Sequence, residues 1–370
     1  MNRSDVLIIG AGPTGLVLAL WLSKLGVRVR IIDKTSAPGT TSRALAVQAR
    51  TLELYRQLDL ADTVVRNGHK VAAANFWVKG KPLAQLPLQR IGEGLTPYSF
   101  IEIFPQDQHE RLLLERLEDY GVTVERNTEL ESFEETGDGL SAHLRLADGR
   151  QEICQACFLA GCDGARSVVR KTLDTGFPGG TYQQVFYVAD VQASGPALNG
   201  ELHLDLDEAD FLAVFPLAGE GRARLIGTVR DERADRAETL QFADVSSRAI
   251  EHLKVHIDEV NWFSTYRVHH RVAEHFRSGR AFLLGDAAHV HSPAGGQGMN
   301  TGIGDAINLA WKLAAVLNGS ATAKLHDSYE TERIAFARRL VSTTDKVFTF
   351  VTAEGRIADL LRMRLAPFLL

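Results

Sequence analysis

Residues 5–15 read Asp5-Val-Leu-Ile-Ile-Gly10-Ala-Gly12-Pro13-Thr14-Gly15, and this stretch decides the fold. An apolar run that fits a buried strand, Val6–Ile9, breaks on the pattern G-x-G-x-x-G. A helical pattern follows from about Pro13 to Leu25, then a second strand at Val27–Ile32 that ends on Asp33, eighteen residues after Gly15. Each position has a task in such a unit. Gly10 permits the tight turn, Gly12 lets a pyrophosphate approach the backbone, and Gly15 lets helix and strand pack closely. Asp33 can accept from a ribose hydroxyl. A βαβ unit built only for packing needs neither three glycines in register nor the acid. An adenine dinucleotide is the expected ligand.

The bulk composition fits that expectation. A chain of 370 residues can bury a large core, and 45% hydrophobic with 24% charged residues is ordinary for a globular protein. A net charge of −5 with scattered Lys and Arg gives no case for nucleic acid. No apolar run approaches the ~20 residues of a membrane helix, so membrane association is not expected. The first strand starts almost at residue 1, leaving no room for a targeting segment, and a cytoplasmic location is expected. Cys154, Cys157 and Cys162 do not make a zinc set, since neighbours three apart on a strand face opposite sides. No metal is expected.

Two more segments share the logic of the first. At 158–170 an apolar strand ends on Gly161-Cys-Asp163-Gly164-Ala-Arg166. Here Asp163 and Arg166 either serve a ligand or hold each other in an ion pair. At 281–300 the run Ala281-Phe-Leu-Leu ends on Gly285-Asp286 and a loop containing Pro293, Gly295, Gly296 and Gly298. The loop opens a helix from about Asn300 to Leu317. A carboxylate at a strand end and free N–H groups at a helix start suit a polar, electron-rich ligand. The alternative is a plain connection with Asp286 as a cap.

Between these segments, residues 71–100 and about 181–230 are strand-like, with a helix at about Gln106–Tyr120 and another at about Ala46–Leu58. The expected architecture is α/β. A Rossmann-like domain (1–70, 101–175 and 277–345) is interrupted by a sheet-rich substrate domain (71–100 and 176–276). A C-terminal helix follows at 346–370. Its stripe of Leu360, Leu361, Met363, Leu365, Phe368 and Leu369 reads as packed core or a subunit contact.

Together, Gly10–Gly15, Asp163-Gly164-x-Arg166, Gly285-Asp286-Ala-Ala-His289 and Gly295-Gly-Gln-Gly-Met-Asn300 closely resemble the FAD-dependent aromatic hydroxylases. These are single-component flavoprotein monooxygenases of the para-hydroxybenzoate hydroxylase fold, and the second half is most similar to the phenol and aromatic-polyketide branch. The resemblance spans about residues 1–345. It takes in Ser42-Arg43, Pro105-Gln106, Asp305-Ala-x-Asn308-Leu-Ala-Trp-Lys312 and Tyr329-Glu-x-Glu-Arg333. Relatives in this branch often continue into a thioredoxin-like domain, so the sequence is either a short form or a truncated one.

The resemblance implies tightly but non-covalently bound FAD, with NAD(P)H as a transient co-substrate. Oxygen would add to give a flavin hydroperoxide that attacks an electron-rich phenolic or polycyclic ring. Gly10, Gly12, Pro13, Thr14 and Gly15 would cradle the dinucleotide, with Asp33 and Lys34 at the adenosine ribose. Arg43 and Gln106 would contact the pyrophosphate and ribityl region, and Asp163 and Arg166 would serve FAD and the passing NAD(P)H. Gly285 and Asp286 would hold the ribityl chain, and Pro293, Gly296, Gly298, Met299 and Asn300 would border the isoalloxazine.

On the substrate side, Phe76, Trp77, Tyr98, Phe100, Phe186, Tyr187, Phe211 and Phe215 are either pocket lining or core. His203 and Tyr98 are weak candidate bases that read first as structural, and His289 and His291 read as packing residues before catalytic ones. A monomer or homodimer is expected. A related flavoenzyme that inactivates a polycyclic antibiotic or reduces an isoprenoid shares much of the signature, as does a non-catalytic flavin-binding protein. A halogenase would carry Trp-x-Trp-x-Ile-Pro, which is absent.

Overall fold

The strands Arg3–Ile9, Val29–Ile32, Val124–Glu125, Gln151–Gly161 and Ala281–Leu283 run parallel, in the order Ala281–Leu283, Gln151–Gly161, Arg3–Ile9, Val29–Ile32, Val124–Glu125. The computed structural model describes residues 3–39, 44–90, 92–206, 211–229 and 240–352. Register explains why these strands matter. Ile9 lies opposite both Ile32 and Gly161, and Gly161 lies opposite Leu283. Gly10, Asp33, Cys162-Asp163 and Leu284-Gly285 therefore leave the sheet at one edge. In an open parallel sheet this carboxyl edge is where ligands bind.

The helix Pro13–Lys24 begins with proline in its first turn, where a missing N–H costs nothing. It is buried around most of its circumference, from Gly15 to Leu22, because it lies between the sheet and the helix Gly298–Leu317. Glycine makes that crossing possible. A β-carbon on Gly302 would stand 2.3 Å from Thr14 Oγ1, and one on Gly15 would stand 2.0 Å from the Gly10 carbonyl.

A second sheet carries the strands His289–Val290, His256–Val272, Gly179–Ser194, Arg222–Val229, Phe211–Pro216, Leu202–Leu206, Ala73–Val78 and Lys81–Pro87. It is antiparallel except where Leu202–Leu206 meets Ala73–Val78. The two longest members span 17 and 16 residues, well beyond the ordinary 5–6. Of the excursion expected at 71–100, Ala73–Pro87 joins this sheet through the hairpin at Lys79-Gly80.

Three expectations need adjusting. The helix expected at Ala46–Leu58 is a short strand, Ala46–Val47, followed by a helix at Ala49–Arg56. Asn300 causes the break: its Oδ1 accepts the Gln48 N–H at 2.9 Å and the Thr51 hydroxyl at 2.7 Å, capping the helix from across the fold. The second concerns the boundary at 345/346, which one helix, Leu325–Thr352, crosses without interruption. The apolar stripe at 360–369 lies outside the described residues. The third is the strand at Val27–Ile32, which starts two residues later, at Val29. None of the three cysteines forms a disulfide, and among the described residues no group of His, Cys, Asp and Glu could hold a metal. No helix of the described residues is long and apolar enough to cross a membrane.

A three-stranded sheet, Ala46–Val47, Ile101–Ile103 and His69–Val71, joins the two large ones. Ile101 and Ile103 face the second sheet, so Glu102 points the other way, fully buried against Gly68. Neither of its oxygens has a partner among the described residues. Burial lifts its pKa to about 7 despite the nearby Lys70. A folded value above the unfolded one means stability is lost as pH rises from the unfolded value through 7. Glu102→Gln is expected to stabilise the protein by about 2–3 kcal/mol at pH 8 and not at pH 4. Urea denaturation at the two pH values checks this, and an equal gain at both would contradict it.

Candidate functional site

The shared strand edge opens into a cleft of about 240 Å³. Gly10, Gly12, Asp33, Lys34, Asp163, Gly164 and Arg166 line it, so the ends of the strands Arg3–Ile9, Val29–Ile32 and Gln151–Gly161 meet there. Asp33 is held firmly: Oδ2 accepts the Ala11 N–H at 2.7 Å, and Oδ1 accepts the Thr35 N–H and hydroxyl at 2.8 and 2.7 Å. Arg126, which the sequence reading passed over, stands 3.9 Å from Asp33. One of its terminal nitrogens is buried without a partner among the described residues. No spacing rule points to Arg126, because it comes from a different strand end.

Asp163 takes a form not anticipated in sequence. Its carboxylate accepts the Ser167 hydroxyl at 2.6 Å and the Val168 and Val169 amides at 2.7 and 3.2 Å. It caps the helix Val168–Thr172 and makes no ion pair with Arg166, which stays exposed at the cleft. Arg170 ties this helix to the end of the strand Ala281–Leu283 by donating to the Ala287 carbonyl at 2.8 Å.

At that strand end, Gly285–Ala287 forms a tight turn that leaves Asp286 exposed on the edge. The turn is oriented from beneath by Asp305, fully buried, whose Oδ2 accepts the Gly285 N–H at 3.0 Å and bonds His289 Nε2 at 2.7 Å. Arg333 donates to Oδ1 at 2.6 Å. Burial alone would raise the Asp305 pKa, but His289, Arg333 and these bonds outweigh it and hold the carboxyl below its ordinary range. His289 is thereby a packing residue, hydrogen-bonded to Asp305 and stacked on Phe276.

The loop that follows turns on Gly295 and Gly296, both left-handed at φ +76° and +62°. The helix Gly298–Leu317 then begins, and its first internal bond runs from Thr301 N to the Gln297 carbonyl at 2.8 Å. The amides of Gly298, Met299 and Asn300 precede that bond and carry the positive end of the helix dipole. The Asn300 side chain is committed to protein: it donates to the Ala46 and Gly296 carbonyls at 2.9 Å and accepts from Gln48 and Thr51. Gln106 opens the helix Gln106–Glu118 and donates to Glu110 at 2.7 Å. Arg43 lies outside the described residues.

Open backbone at the cleft is the feature that fits a dinucleotide. An added β-carbon at Gly12 meets nothing within 4 Å, and its φ of −77° suits any residue. Nothing among the described residues demands glycine there, whereas a ligand pressed to the backbone would. With Asp33 at one end and the Gly298 helix start at the other, the edge suits a long molecule carrying a ribose and an anionic or electron-rich ring.

Beside the glycine loop stands the second sheet. A β-carbon on Gly296 would lie 2.9 Å from the Ala46 side chain, and Ala46 belongs to the apolar cluster on the near face of that sheet. Strand alternation sorts the aromatic residues. Phe76, Phe186, Phe211 and Phe215 share the near face with Trp262 and Tyr266, whereas Trp77 and Tyr187 pack on the far face. Phe211, Phe215, Trp262 and Tyr266 are only half-buried. Tyr98 and Phe100 belong instead with the core of the first sheet, ring to ring at 6.1 Å.

The two candidate bases occupy poor positions for the task. His203 sits beside Trp77 on the far face, where Trp77 Nε1 donates to its Nδ1 at 3.0 Å and Nε2 bonds Asn199 at 2.8 Å. Both ring nitrogens are occupied, and burial lowers its pKa. Burial raises the Tyr98 pKa, so its hydroxyl stays neutral. His291 donates through Nδ1 to the Ser292 carbonyl at 2.8 Å, and burial takes its pKa down to about 4.

Comparison with known proteins places this geometry in context. Residues 3–344 match a family model described as an FAD binding domain. Over 356 residues the chain is 40% identical to 6-methylpretetramide 4-monooxygenase of Streptomyces rimosus, covering 96% of this chain and 63% of that protein. The chain thus spans less than two thirds of the length of that relative. The crystal structure of p-nitrophenol 4-monooxygenase from Pseudomonas putida DLL-E4 superposes with a TM-score of 0.85 at 26% identity, covering 98% of this chain and 93% of that one. A ternary complex of aklavinone-11 hydroxylase with FAD and aklavinone gives 0.83 at 29% identity, covering 94% and 68%.

Proposed function

Because this chain belongs to the family of FAD-dependent aromatic hydroxylases, we propose that it is a monooxygenase that uses NAD(P)H and O2 to hydroxylate a phenolic or polycyclic aromatic substrate. The observation that carries this reading is the close approach of Gly296 to Ala46, where an added β-carbon would lie 2.9 Å from the Ala46 side chain. It brings the glycine loop, the expected border of the flavin ring, against a sheet face of half-buried aromatic side chains. When bound, FAD supplies the redox chemistry that passes electrons from NAD(P)H to oxygen and one oxygen atom to the ring.

The rest falls to the protein. In this reading residues 1–70, 101–175 and 277–345 bind FAD, and 71–100 with 176–276 bind substrate. Gly12 and Asp33 hold the pyrophosphate and adenosine ribose, and Asp286 holds the ribityl chain. The amides of Gly298 and Met299 stabilise negative charge on the ring, an effect of about 0.3–2 kcal/mol. The apolar near face keeps water from the reacting atoms. Relatives acting on 6-methylpretetramide and aklavinone support a polycyclic substrate, and the p-nitrophenol enzyme supports a smaller phenol.

Purified protein mixed with FAD is expected to show a flavin spectrum and phenol-stimulated NAD(P)H oxidation, with one atom of labelled O2 in the product. Peroxide formed in step with NAD(P)H use for every phenol and polyketide offered, without labelled product, would overturn the hydroxylase reading. Asp286→Ala is expected to weaken FAD affinity about tenfold, the loss of one hydrogen bond to the ribityl chain. Fluorescence titration with FAD measures it, and unchanged affinity removes Asp286 from the site.

A further inference from the structure

One cation beside the cleft is placed unlike the others. Lys34 and Arg166 line the cleft as exposed residues. The Arg126 side chain is only 16% exposed, at the first position beyond the strand Val124–Glu125. Its neighbour Glu125 does not engage it, because both Glu125 oxygens accept from Arg30 at 2.8 Å. Arg126 acts on two other carboxylates, Asp33 and the buried Glu110 of the helix Gln106–Glu118. Burial raises the Glu110 pKa, against the bonds from Gln106 and the Gly39 amide and against the Arg126 charge. Only Asp33 lines the cleft.

The bonds of Asp33 show what the cation does. Oδ1 is filled by the Thr35 amide and hydroxyl at 2.8 and 2.7 Å. Oδ2 accepts the Ala11 amide at 2.7 Å and, among the described residues, keeps one lone pair open. Arg126 Nη1 stands 3.9 Å from that same oxygen, too far to hydrogen-bond and near enough to favour its charge. Thr35 holds it at that distance: Nη1 donates to the Thr35 hydroxyl oxygen at 3.3 Å, and the hydroxyl donates on to Asp33. The other terminal nitrogen, Nη2, is buried without a partner among the described residues. A buried cation short of hydrogen bonds costs stability, and packing alone gives no return for it. A bonded ion pair would fill the acceptor that a ribose hydroxyl needs. This arrangement supplies the charge and leaves the acceptor open.

We propose that Arg126 is a positioning residue for the adenosine half of FAD: acting through Asp33, it makes the cleft favour the dinucleotide over a ligand that carries the flavin half alone. The proposal rests on the FAD-binding part of the reading above. Backbone bonds fix the strand end that carries Arg126 to the Asp33 turn. The Asn127 amide donates to the Thr35 carbonyl at 3.2 Å, and the Thr128 amide donates to the Asp33 carbonyl at 3.0 Å. A guanidinium held this way has little freedom left to lose when the ribose binds. Salt screens the exposed Lys34 and Arg166 more than it screens Arg126, so the Arg126 share of FAD affinity should persist at high ionic strength.

The test titrates protein freed of flavin with three probes: FAD, FMN for the flavin half and ADP for the adenosine half. Flavin fluorescence follows the first two and calorimetry the third. Arg126→Met is expected to weaken FAD and ADP about tenfold each and to leave FMN unchanged. Arg126→Lys, which keeps the charge, is expected to recover most of the loss. Should Arg126→Met fail to fold, Arg126→Gln, which keeps a donor for Thr35, carries the test with the same expected outcome. A merely structural role would weaken FAD and FMN alike, and that result overturns the proposal. So does unchanged FAD affinity, a loss that Arg126→Lys does not recover, or wild-type protein that binds FAD no better than FMN and takes up no ADP. The expected titrations in a protein that hydroxylates no phenol or polyketide support this proposal and count against the hydroxylase reading alone. Wild-type protein that takes up no FAD overturns both.

Discussion

Asp305→Ala is expected to lower the unfolding free energy by about 3–5 kcal/mol at pH 7, the cost of breaking a buried ion pair by removing one partner. Asp305 is fully buried, with Arg333 at 2.6 Å, His289 at 2.7 Å and the Gly285 amide at 3.0 Å. Alanine would leave the largely buried Arg333 without its anion and the Gly285 amide without an acceptor. The pH dependence follows from the depressed pKa of the carboxyl. Such a group contributes stability above its unfolded value of about 3.9, and the contribution is lost as pH falls through the lower folded value. The gap between wild type and variant should therefore be constant above about pH 5 and close in strong acid. Urea denaturation at pH 7 and pH 3 measures it. A loss under about 1 kcal/mol at pH 7 would demote the cluster to ordinary packing. Because Asp305 also holds the turn that presents Asp286, FAD affinity should fall together with stability.

How much of this was legible in sequence depends on how far the chemistry lies from its partners along the chain. The unit from Arg3 to Asp33 was readable because its parts are local: an apolar strand, a glycine turn, a proline-led helix and an acid. The parallel register that aligns Ile9, Ile32, Gly161 and Leu283 then turned three separate signatures into one edge. The Asp305 cluster was not readable as such. Its members come from positions 285, 289, 305 and 333, and each alone looks like an ordinary helix, turn or strand residue.

The aromatic residues show a second kind of limit. Phe76 and Trp77, like Phe186 and Tyr187, are adjacent in sequence and indistinguishable by composition. Strand alternation sends them to opposite faces, and only the pairing partners say which face borders the loop. His203 was a reasonable base by chemistry and sits on the wrong side for that reason. The His256–Val272 strand falls within the sheet-rich region expected at 176–276 but is not legible as one strand, since its mostly part-exposed residues give no clean alternation of apolar and polar.

Gly12 and Gly15 are expected to part company when each is changed to alanine, and the contrast separates a ligand requirement from a packing requirement. The Gly15 β-carbon would stand 2.0 Å from the Gly10 carbonyl oxygen, and backbone on both sides cannot yield. Gly15→Ala should cost about 3 kcal/mol, the upper end for an overpacked core, with a fall in melting temperature even without FAD. The Gly12 β-carbon meets nothing within 4 Å, so Gly12→Ala should unfold within about 0.5 kcal/mol of wild type. Yet Gly12 lines the cleft in which the pyrophosphate is proposed to lie against bare backbone. A methyl group there should lower FAD affinity about 100-fold, an obstruction worth about 3 kcal/mol. Apo-protein melting curves beside FAD titrations decide both. A Gly12→Ala variant of wild-type stability that binds FAD as wild type does would move the pyrophosphate off this turn. The same variant with normal stability and lost affinity would fix it there, because no contact among the described residues could account for the loss.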